Sequence, residues 1–247
     1  MFKLMKYEMR KTLFMKLALL AAAVICEVIF FIQAGKNNST GQGIVLFVMA
    51  MVGIFGVLFM GIQSIVTLHR DMNTRQSYML FMTPNSTYKI LGAKVIENAL
   101  STLLGGALLL GVIFFDFRFL ISYNGDAAET LDFLKGMLNG VDTKFEFTFA
   151  GVTSFMCNLL CSWVSTVTVG YLADVIASSL LQGKKGGGLM SVLLFIGISY
   201  AVFSVADLLP GSANTDVNNY LQSAYDLVLA AACYFVTAKM MDKYLSV

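Results

Sequence analysis

Residues 43–68 read GIVLFVMAMVGIFGVLFMGIQSIVTL. None of these side chains is charged, and the run exceeds the ~20 apolar residues that a helix needs to cross the hydrocarbon core of a bilayer. The stretch therefore predicts a transmembrane helix, and it suggests lipid as the solvent for the rest of the fold.

The composition of the whole chain agrees with lipid surroundings. Hydrophobic residues make up 57% of the 247 residues and charged residues only 13%, against about 25% charged in an average soluble domain. Further apolar runs of spanning length predict an all-α polytopic membrane protein with six transmembrane helices. The predicted spans are residues 13–33, 43–68, 95–115, 147–171, 189–209 and 221–239. The fourth has no sharp inner end, because its apolar character continues to Leu181, which favours a cytoplasmic extension of that helix.

Basic residues lie mostly on one side of these spans. Thirteen of the 17 lysines and arginines fall before span one or in its first turn, in the loop of residues 69–94, between spans four and five, or at and after the last residue of span six. The positive-inside rule therefore places both termini in the cytoplasm, in a multi-pass protein of the cytoplasmic membrane. The long acidic loop of residues 116–146 is then outside, and its pattern fits a short surface helix or a plain connector equally well.

The N-terminal segment of residues 1–12 is amphipathic when drawn as a helix. Lysines and an arginine fall on one face, and the other face is apolar, with Phe2, Met5, Met9 and Leu13. This pattern favours a helix at the membrane surface, with its bases facing anionic headgroups. A short basic flank that only sets the topology is the alternative.

Motifs for catalysis or metal binding are missing from the sequence. The phosphate loop G-x-x-x-x-G-K-[ST] does not occur, because Lys185 stands after Gly183 and Lys184 where Ser or Thr is required. Neither an H-E-x-x-H zinc helix nor a G-x-S-x-G elbow is present. The four cysteines lie in apolar runs, where they are interpreted as small hydrophobic residues. We therefore predict no enzyme activity, no metal and no cofactor in this chain, and no nucleic-acid partner.

The cytoplasmic loop of residues 69–94 has features beyond those of a connector. Pro84 suits the first position of a helix and disfavours helical backbone at the preceding residue, so Thr83 is a candidate N-cap. A helix is expected from Pro84 toward span three. Before it, residues 74–82 can form a short amphipathic helix. Its exposed face, which would fit a groove in a soluble partner, carries Tyr78, Phe81 and Met82.

This loop contains the series Arg-Asp … Asn-Thr … Leu-Phe-Met-Thr-Pro-Asn-Ser … Ile-Leu-Gly-Ala-Lys. The series resembles the loop after the second span in permease subunits of the ABC-2 family, which is similar to Glu-x-Gly-Thr … Leu-Leu-x-x-Pro-x-Ser … Ile-Leu-x-Gly-Lys. The matching positions are Arg70, Thr74, Leu80, Pro84, Ser86, Ile90, Leu91 and Lys94. The departures are Asn73, which stands where glycine is usual, and Ala93, which separates Gly92 from the lysine.

The resemblance implies one half of an ATP-driven exporter. In that family the loop is a coupling helix on a separate ATPase subunit, which binds ATP and Mg²⁺, and two permease chains pair as a homodimer or heterodimer. Residues 1–12 are similar to the family's connecting helix. The expected cargo is a hydrophobic or amphipathic peptide, drug or lipid. The residues expected to couple to the ATPase subunit are Arg70, Thr74, Tyr78, Leu80, Phe81, Thr83, Pro84, Ser86 and Lys94.

Polar residues inside the spans are candidates for a substrate path. Glu27 lies several residues inside the outer end of span one, where a carboxylate that faces lipid is unfavourable. It is expected either to line a path, or to reach toward the interface or pair within the bundle. Span four carries Ser162, Ser165 and Thr166. Ser162 and Thr166 repeat at every fourth residue with Gly170, which favours close helix packing over a path.

Two other classes of function are compatible with the sequence. One is a membrane scaffold or accessory subunit that transports nothing. The other is a channel or secondary transporter, which the small number of buried charges and the lack of an evident inverted repeat disfavour. A neighbouring coding sequence with a phosphate loop would favour the exporter.

Overall fold

The structure is a computed structural model, and it describes residues 2–36, 39–73, 86–124, 149–181, 187–208 and 214–245. The regular structure in these ranges is entirely helical. The six helices are α1 (Phe2–Gly35), α2 (Ser39–Asn73), α3 (Thr87–Asn124), α4 (Phe149–Leu181), α5 (Gly187–Ala206) and α6 (Thr215–Leu245).

Each of these helices is long and apolar enough to cross a membrane. The shortest, α5, has 20 residues, which span about 30 Å at 1.5 Å per residue. Large apolar side chains cover the outside of the helices; Phe14 is 79% exposed and Val228 is 70% exposed. A water-soluble monomer does not present apolar surface on this scale. The predicted all-α architecture with six helices able to span a membrane is therefore confirmed for the described residues, and it fits a multi-pass membrane protein. Its location in the cytoplasmic membrane and the cytoplasmic position of both termini stay predictions.

The helices extend beyond the predicted spans. α1 runs without a break through residues 12 and 13, where the sequence predicts a change from a surface segment to the first span. α4 continues to Leu181, so the stretch after Tyr171 is helical. Hydropathy marks only the part of a helix that lies in hydrocarbon, whereas backbone hydrogen bonding continues into the interface. The surface position of residues 1–12 stays a prediction.

The start of α3 differs from the predicted start at Pro84. The carbonyl oxygen of Ser86 accepts hydrogen bonds from the backbone N–H groups of Lys89 (2.9 Å) and Ile90 (3.2 Å). Ser86 is therefore the N-cap, a position that serine favours, and α3 begins at Thr87. Thr83 and Pro84 themselves lie outside the described residues.

The chain divides into two compact units, of which the first comprises Met1–Thr12, Gly61–Leu100 and Phe147–Val247. In this unit α2 and α4 approach so closely that a Cβ on Gly61 would overlap the indole ring of Trp163. The core of this unit draws apolar side chains from α2, α3, α4 and α6, among them Leu68, Leu91, Val167, Tyr171, Ala238 and Met241.

The second unit comprises Leu13–Met60 and Ser101–Glu146. Its described parts come from α1, α2 and α3. Phe30 is fully buried in it and makes an edge-to-face contact with Phe119, with ring centroids 6.2 Å apart. Such contacts between aromatic rings add to the burial of apolar area that holds α1 and α3 together.

Candidate functional site

Charged side chains from three helices meet inside the first unit. They come from the early turns of α1, the last turn of α2 and the first part of α3. Glu8 and Lys11 are three residues apart on α1, as are Lys94 and Glu97 on α3, so each pair shares one helix face. We call this group the polar cluster; its members are Glu8, Lys11, Thr12, Asp71, Lys94 and Glu97.

Lys94 lies at the centre of the polar cluster. Its ammonium group donates to Glu8 Oε2 at 2.8 Å and to Asp71 Oδ2 at 2.7 Å. Lys94 is only 2% exposed, and both carboxylates are buried as well. A buried ammonium group is strongly unfavourable unless it is paired and hydrogen-bonded. These two contacts therefore hold the ends of α1 and α2 against α3.

Lys11 joins the same carboxylates from α1. Its ammonium group donates to both oxygens of Asp71, at 2.8 and 2.9 Å, and lies 3.5 Å from Glu8 Oε1. The group also lies 4.8 Å from the ring centroid of Tyr7, within range of a cation–π interaction. Asp71 thus accepts hydrogen bonds from lysines on two other helices.

Thr12 connects the polar cluster to a third acid. Its hydroxyl donates to Glu97 Oε1 at 3.0 Å, and both side chains are buried. Three carboxylates against two ammonium groups leave one formal negative charge in the cluster. The chemistry that this arrangement supplies is charge pairing, and its effect is to hold three helix ends together.

A second set of polar contacts joins α2 to α4. His69 Nδ1 and Asp174 Oδ1 are 2.7 Å apart, and Ser64 hydrogen-bonds to the Tyr171 hydroxyl. Tyr171 and Asp174 are each 1% exposed. Because α2 also carries Asp71, α4 is connected to the polar cluster through α2.

The start of α3 is held by α6. The Thr87 hydroxyl donates to the Asp242 carboxylate, and the Tyr234 hydroxyl donates to the Tyr88 carbonyl at 2.6 Å. Thr87 and Tyr88 are the first two residues of α3, while the polar cluster holds the last turn of α2. Both helices that flank residues 74–85 are therefore anchored in the first unit close to that segment.

The structure describes three of the nine residues predicted to couple to an ATPase subunit. Arg70 is exposed on α2, and Ser86 is exposed at the cap of α3. Lys94 is buried in the polar cluster, where its ammonium group pairs with carboxylates of this chain. The other six lie outside the described residues: Thr74, Tyr78, Leu80, Phe81, Thr83 and Pro84.

The candidate path residues of α4 do not share one environment. Ser165 is buried, Ser162 is half-buried and Thr166 is exposed. The Thr166 hydroxyl donates to the carbonyl oxygen of Ser162 at 2.8 Å, within its own helix. Gly170, in the same stripe, packs against α2 so closely that a Cβ would overlap the side chain of Ile65. That contact agrees with the interpretation of the stripe as a packing surface.

Sequence reasoning did not find the polar cluster. It placed Lys11 on a face toward lipid headgroups and Lys94 in a loop toward a soluble partner, whereas both ammonium groups pair with carboxylates of this chain. One signal pointed to it: Glu8 is the only acidic residue before Glu27, and it stands in a segment rich in bases. An isolated acid among bases at the edge of a membrane indicates a pairing partner.

Within the described ranges, no group of three or more His, Cys, Asp or Glu side chains is arranged to hold a metal ion. No protein-family model, curated protein or solved structure matches this chain. The contacts of the polar cluster and its position along the chain are therefore the structural basis for a functional proposal.

Proposed function

We propose that this chain is the permease subunit of an ABC-2-type exporter, which moves a hydrophobic or amphipathic peptide, drug or lipid across the cytoplasmic membrane. Six helices of spanning length support a membrane permease. The sequence pattern of residues 70–94 supports this particular family. Because the chain has no phosphate loop, ATP and Mg²⁺ are bound by a separate ATPase subunit in this proposal.

The observation that carries the proposal is the polar cluster and its place beside residues 74–85. A coupling segment transmits force only if the helices on either side of it move when it is pushed. The last turn of α2 is tied to α3 by the contact of Asp71 with Lys94. Glu8 ties α1 to the same ammonium group. A force on the segment therefore acts on three helices together.

The proposed mechanism uses the burial of these charges. ATP binding in the partner presses on residues 74–85, where Tyr78 and Phe81 supply the contact surface. Separating Lys94 from its carboxylates would leave charges buried without partners, which is strongly unfavourable. The three helix ends then move as one body, and their movement changes the side of the membrane from which a path between two permease chains is open.

Purification of the full-length chain in mild detergent tests the assembly. We expect an ATPase with a phosphate loop to co-purify, and we expect its ATP turnover in lipid nanodiscs to depend on the permease. Replacing Tyr78 or Phe81 by alanine should reduce recovery of the ATPase about tenfold or more, as for aromatic hot spots at other interfaces. ATP turnover per permease should fall with it.

Tyr200 and Phe203 provide matched controls, because both are strongly exposed on α5, outside the loop. Tyr200→Ala and Phe203→Ala should leave both recovery and turnover unchanged. If Tyr78→Ala and Phe81→Ala behave like these controls, coupling through the loop is wrong.

The same assay separates the other classes of function. Stable recovery of a partner whose ATP turnover is independent of the permease would indicate a scaffold or accessory subunit. Substrate movement by the chain alone, in vesicles without an ATPase, would indicate a channel or a secondary transporter.

A further inference from the structure

Two carboxyl groups meet inside the second unit. Glu27 lies on α1 and Asp116 lies on α3, and their side chains are within interaction distance of each other. Sequence reasoning noticed Glu27 but assigned Asp116 to the outer loop of residues 116–146. Because α3 continues to Asn124, Asp116 is a helical residue instead.

Asp116 is buried and Glu27 is half-buried, and their buried oxygens lack donors. Asp116 is 1% exposed, and neither of its carboxylate oxygens has a hydrogen-bond partner among the described residues. The Oε2 atom of Glu27 is buried without a partner as well. An ionised carboxylate only accepts hydrogen bonds, so two ionised carboxylates cannot bond to each other. A hydrogen atom between the two groups would satisfy both.

The described bases of the second unit do not neutralise this pair. Lys16 and Lys36 lie on α1 at about 16 and 13 Å from Glu27 along the helix axis, from a rise of 1.5 Å per residue. Arg118 is exposed and stands two residues after Asp116, a spacing at which side chains on a helix do not face each other. The described part of α2 in this unit carries no charged or titratable side chain, and the remaining titratable group nearby is the thiol of Cys26.

Two adjacent carboxylates in a medium of low dielectric constant cannot both stay ionised, because each raises the free energy of the other. A cation must therefore neutralise one of the two charges. Hard metal cations such as Ca²⁺ take six to eight oxygen ligands, and this pair supplies two carboxyl groups. We propose that Glu27 and Asp116 form a proton-binding site, in which the two carboxyl groups share one proton at neutral pH. This inference rests on the second unit alone and does not depend on the proposed export function.

The site has a direct consequence for the second unit. With the proton bound, the hydrogen bond between the two carboxyl groups links α1 to α3. When the proton leaves at higher pH, two negative charges remain side by side and repel each other. The contact between α1 and α3 is therefore weakened as the pH rises.

Infrared difference spectroscopy on the purified full-length protein tests the site. At pH 7 the protein should show a C=O stretching band of a protonated carboxyl group that the double variant Glu27→Gln/Asp116→Asn has lost. Asp207→Asn should retain the band, because Asp207 is an exposed carboxylate at the end of α5. Raising the pH should remove the band from the unsubstituted protein and increase the carboxylate band.

Isotope labelling decides the question even if the double variant does not fold. In the unsubstituted protein, carbon-13 labelling of aspartate and, in a second sample, of glutamate should each shift this band, because the proton is shared. A band that is absent at pH 7 would overturn the proposal, since both groups are then ionised. A band that disappears on addition of Na⁺ or Ca²⁺ at constant pH would also overturn it, since a metal ion then replaces the proton.

Discussion

The polar cluster of the first unit and the acid pair of the second unit are both groups of ionisable side chains that are buried or half-buried among apolar helices. In the polar cluster, Lys94 and Lys11 each contact carboxylates at hydrogen-bond distance. In the acid pair, Glu27 and Asp116 face each other, and the described bases of their unit lie elsewhere. Permanently paired charges hold helices together, whereas unpaired charges of one sign bind a cation. The two groups therefore have different roles, and neutralising one carboxyl group in each should affect the stability of the protein differently.

The largest effect is expected from Lys94→Met. The substitution keeps most of the side-chain volume but leaves the carboxylates of Glu8 and Asp71 buried without their shared partner. Removing one member of a buried ion pair destabilises a protein by about 3–5 kcal/mol. The melting temperature in detergent should fall accordingly. Lys239→Met, at an exposed position of α6, is the control and should have little effect. Equal losses of stability in both variants would contradict the claim that the polar cluster holds the helix ends together.

A smaller effect, limited to the first unit at pH 7, is expected when one carboxyl group is made neutral. Glu8→Gln replaces a carboxylate that is paired with Lys94, and it should lower stability by about 1–3 kcal/mol. Glu27→Gln leaves one negative charge at the acid pair and supplies an amide donor in place of the shared proton, so it should not lower the melting temperature at pH 7. Both residues lie on α1, which makes the two variants a matched pair.

The pH dependence of stability further distinguishes Glu8→Gln from Glu27→Gln. The proton that we propose for the acid pair is bound in the folded state and released by the unfolded chain at neutral pH, so the contribution of this site to stability falls as the pH rises. Glu27→Gln should therefore be more stable than the unsubstituted protein at pH 9, while Glu8→Gln should be less stable at both pH values. Melting curves at pH 7 and pH 9 measure this difference. A loss of stability in Glu27→Gln at pH 9 would contradict the shared proton.

The smallest effect is expected from glycine substitutions, which compare the packing in the two units. In Gly61→Ala the new methyl group would overlap the rigid indole ring of Trp163. Overpacking of this kind destabilises a protein by about 1–3 kcal/mol. This loss equals or exceeds the stabilisation of about 1 kcal/mol expected from the higher helix propensity of alanine. Gly111→Ala, where no atom lies within 4 Å of the new methyl group, should cause no loss. Melting temperatures of the two variants should therefore differ in favour of Gly111→Ala.

The six helices could be predicted because hydrophobicity is a local property. A run such as residues 43–68 is sufficient to predict a spanning helix, whatever the rest of the chain contains. Helix ends were predicted less well, since the hydropathy of α3 falls at Asp116 although the helix continues to Asn124. That boundary error hid the partner of Glu27.

The polar cluster could not be predicted, because it depends on contacts between distant parts of the chain. Glu8 meets Lys94 across 86 positions and Lys11 meets Asp71 across 60. At the membrane edge, each of these residues by itself has the pattern of a solvated or headgroup-facing charge. The residues that sequence reasoning assigned to the coupling contact, such as Tyr78 and Phe81, lie outside the described residues, and their role stays a prediction.

Photocrosslinking from position 81 tests the central claim most directly, namely that an ATPase subunit binds the segment between α2 and α3. A photoreactive phenylalanine analogue would replace Phe81 in one sample and Phe203 of α5 in a second. On irradiation of intact membranes, the account predicts a covalent adduct with a phosphate-loop ATPase from position 81 and none from position 203. No adduct from position 81, or adducts of equal yield from both positions, would contradict it.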